Sequence, residues 1–119
     1  MKKIIVFFLF ISCGMSIAQV RMENLKRAGL MHMQAGRYGE AVDQFNKYIS
    51  ANPRAADGYN LRALSLQNRK DFVNAILDFR RAIRLDPQNA EYQRNLDKAI
   101  TEWHEILRNK IVGHKRDIA

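Results

Sequence analysis

The chain has 119 residues, 47% hydrophobic and 27% charged, with 20 Lys+Arg against 12 Asp+Glu and a formal charge of +8. That is the make-up of one small globular domain or a short repeat array, and it excludes wholesale disorder. Six glycines and two prolines argue against collagen-like, linker-like and turn-rich β chains, and a single cysteine excludes an intramolecular disulfide framework or a Cys-rich zinc site.

The first 18 residues read as a secretory signal peptide. Lys2 and Lys3 give a positive start, Ile4 to Ile11 is an unbroken apolar run, and Ser16-Ile17-Ala18 places small residues at the last and third-from-last positions before Gln19. Cleavage after Ala18 is expected, with export to the periplasm or beyond the cell. Two other readings stay open. A retained anchor would need roughly 20 apolar residues, and here the apolar density fades at Ser12-Cys13-Gly14. Lipidation at Cys13 rests on Phe10-Ile11-Ser12-Cys13, which resembles a bacterial lipobox with Phe10 in place of the usual leucine. Cleavage removes Lys2, Lys3 and the cysteine, leaving 18 basic residues against 12 acidic, a formal +6.

From residue 20 the chain repeats itself. Pro53 and Pro87 stand 34 residues apart, and the same offset pairs Leu30 with Leu64, Tyr38 with Phe72, Ala41 with Ala75, Phe45 with Phe79, and Ile49 with Ile83. Small matches small and aromatic matches aromatic at one constant shift, which marks an internal repeat. Repeat one, residues 20–53, predicts a helix over about 22–35 ended by Gly36, then a second helix carrying Tyr38, Ala41, Val42, Phe45 and Ile49 that stops at Asn52-Pro53. Repeat two, residues 54–87, predicts a helix over about 57–69, a break at Arg69-Lys70-Asp71 with Asp71 as N-cap, and a helix whose Phe72, Ala75, Ile76, Phe79, Ala82 and Ile83 form one apolar face up to Asp86-Pro87. The small Gly29, Ala41, Ala63, Ala75 and Ala82 let antiparallel helices approach, while the aromatics fill the space between them.

The 34-residue period and the order small Gly29/Ala63, aromatic Tyr38/Phe72, Ala41/Ala75, Phe45/Phe79, then proline resemble the tetratricopeptide repeat family. The resemblance covers about 20–87. His32, where tyrosine or leucine is usual, and Tyr48, where the repeat normally has alanine, depart from the pattern. It implies an all-α fold of antiparallel helix-pair repeats, a solenoid of two repeats. After Pro87, Asn89 as N-cap and Tyr92, Leu96, Ala99, Trp103, Ile106 and Leu107 at helical spacing predict a capping helix over 89–112. The helical domain is thus placed at 19–112, and 113–119 is expected to be a flexible tail.

No catalytic, metal or cofactor constellation emerges. His32, His104 and His114 have no metal-ligand spacing to another His, Cys or carboxylate, no serine sits in a Gly-rich elbow, and no glycine loop could cradle phosphate. The expectation is therefore a non-enzymatic chain without cofactor. In the resembled family the first helix of each pair lines a concave groove that holds a peptide or a partner's helix. The matching residues include Lys26, Leu30 and Met33, then Asn60 and Leu64, then Arg94 and Lys98. Lys26, Asn60 and Arg94 are spaced by 34 and would fall in one row. That row resembles part of a carboxylate clamp, although Leu30 stands where a second asparagine is usual. A groove for some other peptide, and no groove ligand at all, are the competing readings. The favoured function is a protein–protein interaction adaptor in the cell envelope or outside the cell, with self-association by end-to-end repeat stacking of two chains as a further expectation. The alternative is a basic envelope protein or lipoprotein held by charge to an anionic polymer or membrane face. Export, and the lack of a basic run interleaved with aromatics, argue against nucleic acid, and no stable transmembrane span is expected after cleavage.

Overall fold

Ser16 starts the first helix: its hydroxyl accepts the Gln19 N–H while the Gln19 side chain accepts the Ser16 N–H, a reciprocal capping box. The computed structural model describes residues 14–118. They form five helices: α1 Ile17–Gln34, α2 Tyr38–Ala51, α3 Ala56–Asn68, α4 Phe72–Leu85 and α5 Ala90–Ile118. There is no strand among the described residues, and the all-α helix-pair architecture stands as the sequence predicts.

The turns inside the two repeats are equivalent. Gly36 (φ 74°) and Lys70 (φ 65°) both adopt the left-handed conformation one residue beyond a helix cap, 34 residues apart. Asp71 then caps α4, its carboxylate accepting the Asn74 N–H. Both α2 and α4 end directly before a residue preceding proline, Asn52 and Asp86, since that residue is driven out of the α region.

Neighbouring helices pack in sequence order, and the first helices of successive units also touch, α1 with α3 and α3 with α5. Phe45 and Phe79 are fully buried at equivalent places, as are Ala41, Ala63, Ala75, Ala82 and Ala99. Leu96 and Ala99 of α5 join Ala63, Leu66, Ala75, Ile76 and Phe79 in one cluster, with Trp103 packed against it. Each large apolar side chain removed from water there contributes about 1.5–3 kcal/mol. Close approach depends on two glycines. A Cβ on Gly29 would come within 2.4 Å of the Phe45 ring, and one on Gly58 within 2.9 Å of the Tyr48 ring and 3.0 Å of Ile49.

The ends differ from expectation. Helix α1 begins at Ile17, ahead of the predicted start near 22, and runs through the Ala18–Gln19 bond where cleavage is expected. The apolar run and Cys13 lie outside the described residues. At the other end α5 continues through Gly113 as far as Ile118, past the predicted helix limit at 112 and into the stretch read as tail. No proline or capping turn interrupts the stretch, nothing lies within 4 Å of a Cβ at Gly113, and one glycine inside a helix costs only about 1 kcal/mol.

Candidate functional site

The face expected to bind a partner is built from α1, α3 and α5, and its polar side chains are largely engaged with one another. Lys26 Nζ of α1 lies 2.8 Å from Asp57 Oδ2 at the start of α3, and the Tyr48 hydroxyl donates to Asp57 Oδ1 at 3.1 Å. The hydrogen bond to Asp57 raises the Lys26 pKa, against an opposing effect of burial. The charge on Lys26 is therefore held at neutral pH, and its share of stability is lost only as the pH climbs through that raised value. Burial, then the neighbouring Asp57, raises the Tyr48 pKa.

The next seam is closed in the same manner. Asn60 is buried, and its Oδ1 accepts the Asn95 amide of α5 at 2.9 Å. Near the far end of α3, Gln67 donates to Glu102 Oε2 at 2.8 Å, and Lys70 donates to Glu102 Oε1 at 2.6 Å. Bonds from Lys70 and then Gln67 hold the Glu102 carboxyl below its usual range.

Two members of the predicted row are engaged across the helix seams. Lys26 faces Asp57 and Asn60 faces Asn95, and neither shares a hydrogen bond or ion pair with Arg94. Arg94 and Lys98 stand exposed on α5 and form no ion pair among the described residues. Leu30, Met33 and Leu64 are half-buried. Leu30, Leu64 and Lys98 are spaced by 34, so an apolar row crosses α1 and α3 and ends at a cation on α5. His32 belongs to a local cluster with Arg37 and Glu40, its Nδ1 3.0 Å from Glu40 Oε2.

The opposite face has a different polar pattern. Arg62 of α3 donates from Nε and Nη2 to Asp78 of α4 at 2.7 and 2.8 Å, and from Nη1 to Asn46 of α2 at 2.9 Å. The bidentate bond to Asp78 raises the Arg62 pKa against the effect of burial. One guanidinium thereby ties three helices, a role that the sequence pattern did not disclose. Asn95, Glu102 and Asp78 were likewise missed. Their only signal is position: Asn60–Asn95 and Gln67–Glu102 are both separated by 35 residues, one more than the repeat.

No described helix is long and apolar enough to cross a membrane. Among known families, the profile described as tetratricopeptide repeat matches residues 26–90. Over 95 residues, 77% of this chain, the sequence is 28% identical to the DnaJ homolog subfamily C member 7 homolog of Dictyostelium discoideum. The matched stretch is 17% of that protein's length, so the likeness is to a segment of a larger chain.

Proposed function

We propose a function from one fixed premise: this chain belongs to the tetratricopeptide repeat family, whose repeats mediate protein–protein interaction. The chain acts as an exported adaptor that holds a partner's peptide or helix across α1, α3 and α5, and no enzymatic step is assigned to it. The observation that carries this reading is the row of Leu30 and Leu64, half-buried and flanked by Met33, ending at the exposed cation Lys98 with Arg94 one turn before it. A peptide with an apolar side chain and a terminal carboxylate matches that order of surfaces. Lys26 and Asn60 leave the clamp, because Asp57 and Asn95 already satisfy them. Methionine at such a surface adapts to more than one side-chain shape.

One charge-assisted hydrogen bond contributes about 1.5–3 kcal/mol, and burial of one leucine-sized side chain about 1.5–3 kcal/mol before association costs. Affinity nearer micromolar than nanomolar follows, which suits one contact within a larger assembly. Capture of partners from an envelope extract, followed by Leu30→Ala, Leu64→Ala, Arg94→Ala and Lys98→Ala, tests the face. The two cation changes should weaken binding in a salt-dependent way, and the leucine changes should weaken it with little change in salt slope. Undiminished capture by the combined variant removes the face from consideration. Export rests on the leader-like sequence of residues 1–18, and a mature N-terminus at Gln19, read by intact mass, is its test. A diacylglyceryl group on Cys13 would replace cleavage with anchoring.

A further inference from the structure

On the side away from the α1–α3–α5 face, helix α4 packs along α3 at the edge of the groove that α2 and α3 form. Two contacts hold it there: Asp78 is gripped by Arg62, and Arg81 stacks over the Tyr59 ring with its guanidinium carbon 5.2 Å from the centroid. One repeat further on, α4 and α5 form the equivalent groove, in which Gln93 and Leu96 replace Tyr59 and Arg62, and Arg80 replaces Asn46. A sixth helix would fill it if the chain turned back at residues 103–105, the counterparts of Arg69-Lys70-Asp71. The chain does not turn, and α5 runs straight on to Ile118. Among the described residues the groove therefore stays open, a depression of about 500 Å³ lined by Leu77, Arg80, Ile83 and Arg84 of α4 and by Gln93 and Leu96 of α5.

Its lining is specific. Leu77 is 56% exposed although it lies on a packed helix. Arg80 and Arg84 form no ion pair among the described residues, whereas Arg81 of the same helix is occupied over Tyr59. No carboxylate lines the depression, and Asp97, which follows Leu96 on α5, accepts the Gln93 amide. An apolar floor with two free guanidinium groups on one rim calls for an apolar stripe flanked by carboxylates. In the preceding repeat a carboxylate on the seated helix, Asp78, meets a guanidinium of α3, Arg62; in the open groove Leu96 takes that place and the guanidinium groups lie on the α4 rim instead.

We propose that the α4–α5 groove receives an acidic amphipathic helix of a partner protein, lying where a third repeat would place its second helix. The seat is independent of the α1–α3–α5 face. The incoming helix buries its apolar side chains on Leu77, Ile83 and Leu96, and its carboxylates bond to Arg80 and Arg84 in charge-assisted, bidentate geometry.

The full chain is titrated with a labelled, side-chain-stapled 14-residue helix bearing leucines at i, i+3, i+4 and i+7 and glutamates beside them. A twin carries lysine for glutamate, and a glutamate-only peptide of equal length lacks the leucines. Binding of the acidic helix is expected, weakened about tenfold or more by R80E/R84E and more mildly by R80Q/R84Q, with Lys110→Glu/Arg116→Glu, exposed on the distal part of α5, without effect. Photocrosslinking from a benzophenone at position 77 should mark the same peptide in the otherwise unaltered chain. Equal binding of the lysine twin or of the leucine-free peptide overturns the proposal, as does indifference to the R80 and R84 changes. Self-association of the chain that R80E/R84E dissolves overturns it in favour of a second copy.

Discussion

Where α2 packs on α3, Tyr48 lies against Gly58; at the same register where α4 meets α5, the residues are Ala82 and Tyr92. The large side chain has changed sides of the seam, and the summed volume across it is maintained. Tyr48 is therefore not a misfit in a position that usually takes alanine. It is accommodated because the facing residue has no Cβ, and its hydroxyl finds Asp57. A second pair differs only by one methyl group: Gly29 lies against Phe45 where Ala63 packs with Phe79. Packing density is a property of the seam, so a repeat can depart from its pattern at one position when the opposing position answers.

The seam comparison is broken most severely by Gly58→Tyr, which sets two rings in one place and should cost more than about 3 kcal/mol. Tyr48→Ala alone leaves a cavity and should cost roughly 3 kcal/mol. The double variant transplants the α4–α5 arrangement onto α2–α3. Chemical denaturation should find it more stable than Gly58→Tyr by several kcal/mol, and additive losses would show that the two residues do not share the seam.

Gly29→Ala comes next. The Phe45 ring is fully buried and stands 2.4 Å from the new Cβ, so a loss of about 1–3 kcal/mol is expected despite alanine's better helix propensity. Ala63→Gly in the other repeat should cost only about 1 kcal/mol. Equal losses would remove the distinction between the two pairs.

The two left-handed turns sharpen the comparison on a smaller scale. Gly36 has nothing within 4 Å of a Cβ, so Gly36→Ala isolates backbone strain, at about 1 kcal/mol. Lys70→Gly relieves the same strain but forfeits the bond to Glu102, and its melting temperature should stay close to that of the parent. The smallest effect concerns pH. Glu102 has its pKa lowered on folding by Lys70 and Gln67. Its contribution is present above the usual carboxylate range and is lost as the pH falls through the depressed value. Melting curves of Glu102→Gln should be flatter over that acid window, and an unchanged acid slope would show that the α3–α5 seam does not titrate through this residue.

The helix-pair plan was legible because its signals are local. Asn52-Pro53, Asp71 and Asp86-Pro87 bound their helices whatever surrounds them, and the 3.6-residue spacing of Phe72, Ala75, Ile76 and Phe79 names the buried face of α4. The candidate binding row was less legible. The 34-residue spacing names residues that point in the same direction on parallel neighbouring helices, but not which of them are already engaged across a seam. Contact requires a residue turned by about 60–100° around the helix, one farther along or three back. The observed partners obey this: Asn60 with Asn95, Gln67 with Glu102, and Lys26 with Asp57.

By itself the sequence determined the repeat period, the turns within and between the repeats and the ring of small and aromatic residues that makes the fold, because each depends on backbone preference and on spacing along one helix. Only the tertiary structure decided which volumes answer each other across a seam, which charges are already spent on Asp57, Asp78 and Glu102, and which side chains line the α4–α5 groove that the described residues leave open. Those outcomes depend on side chains 10 to 35 residues apart meeting across helices, and neither propensity nor periodicity within one helix carries that information.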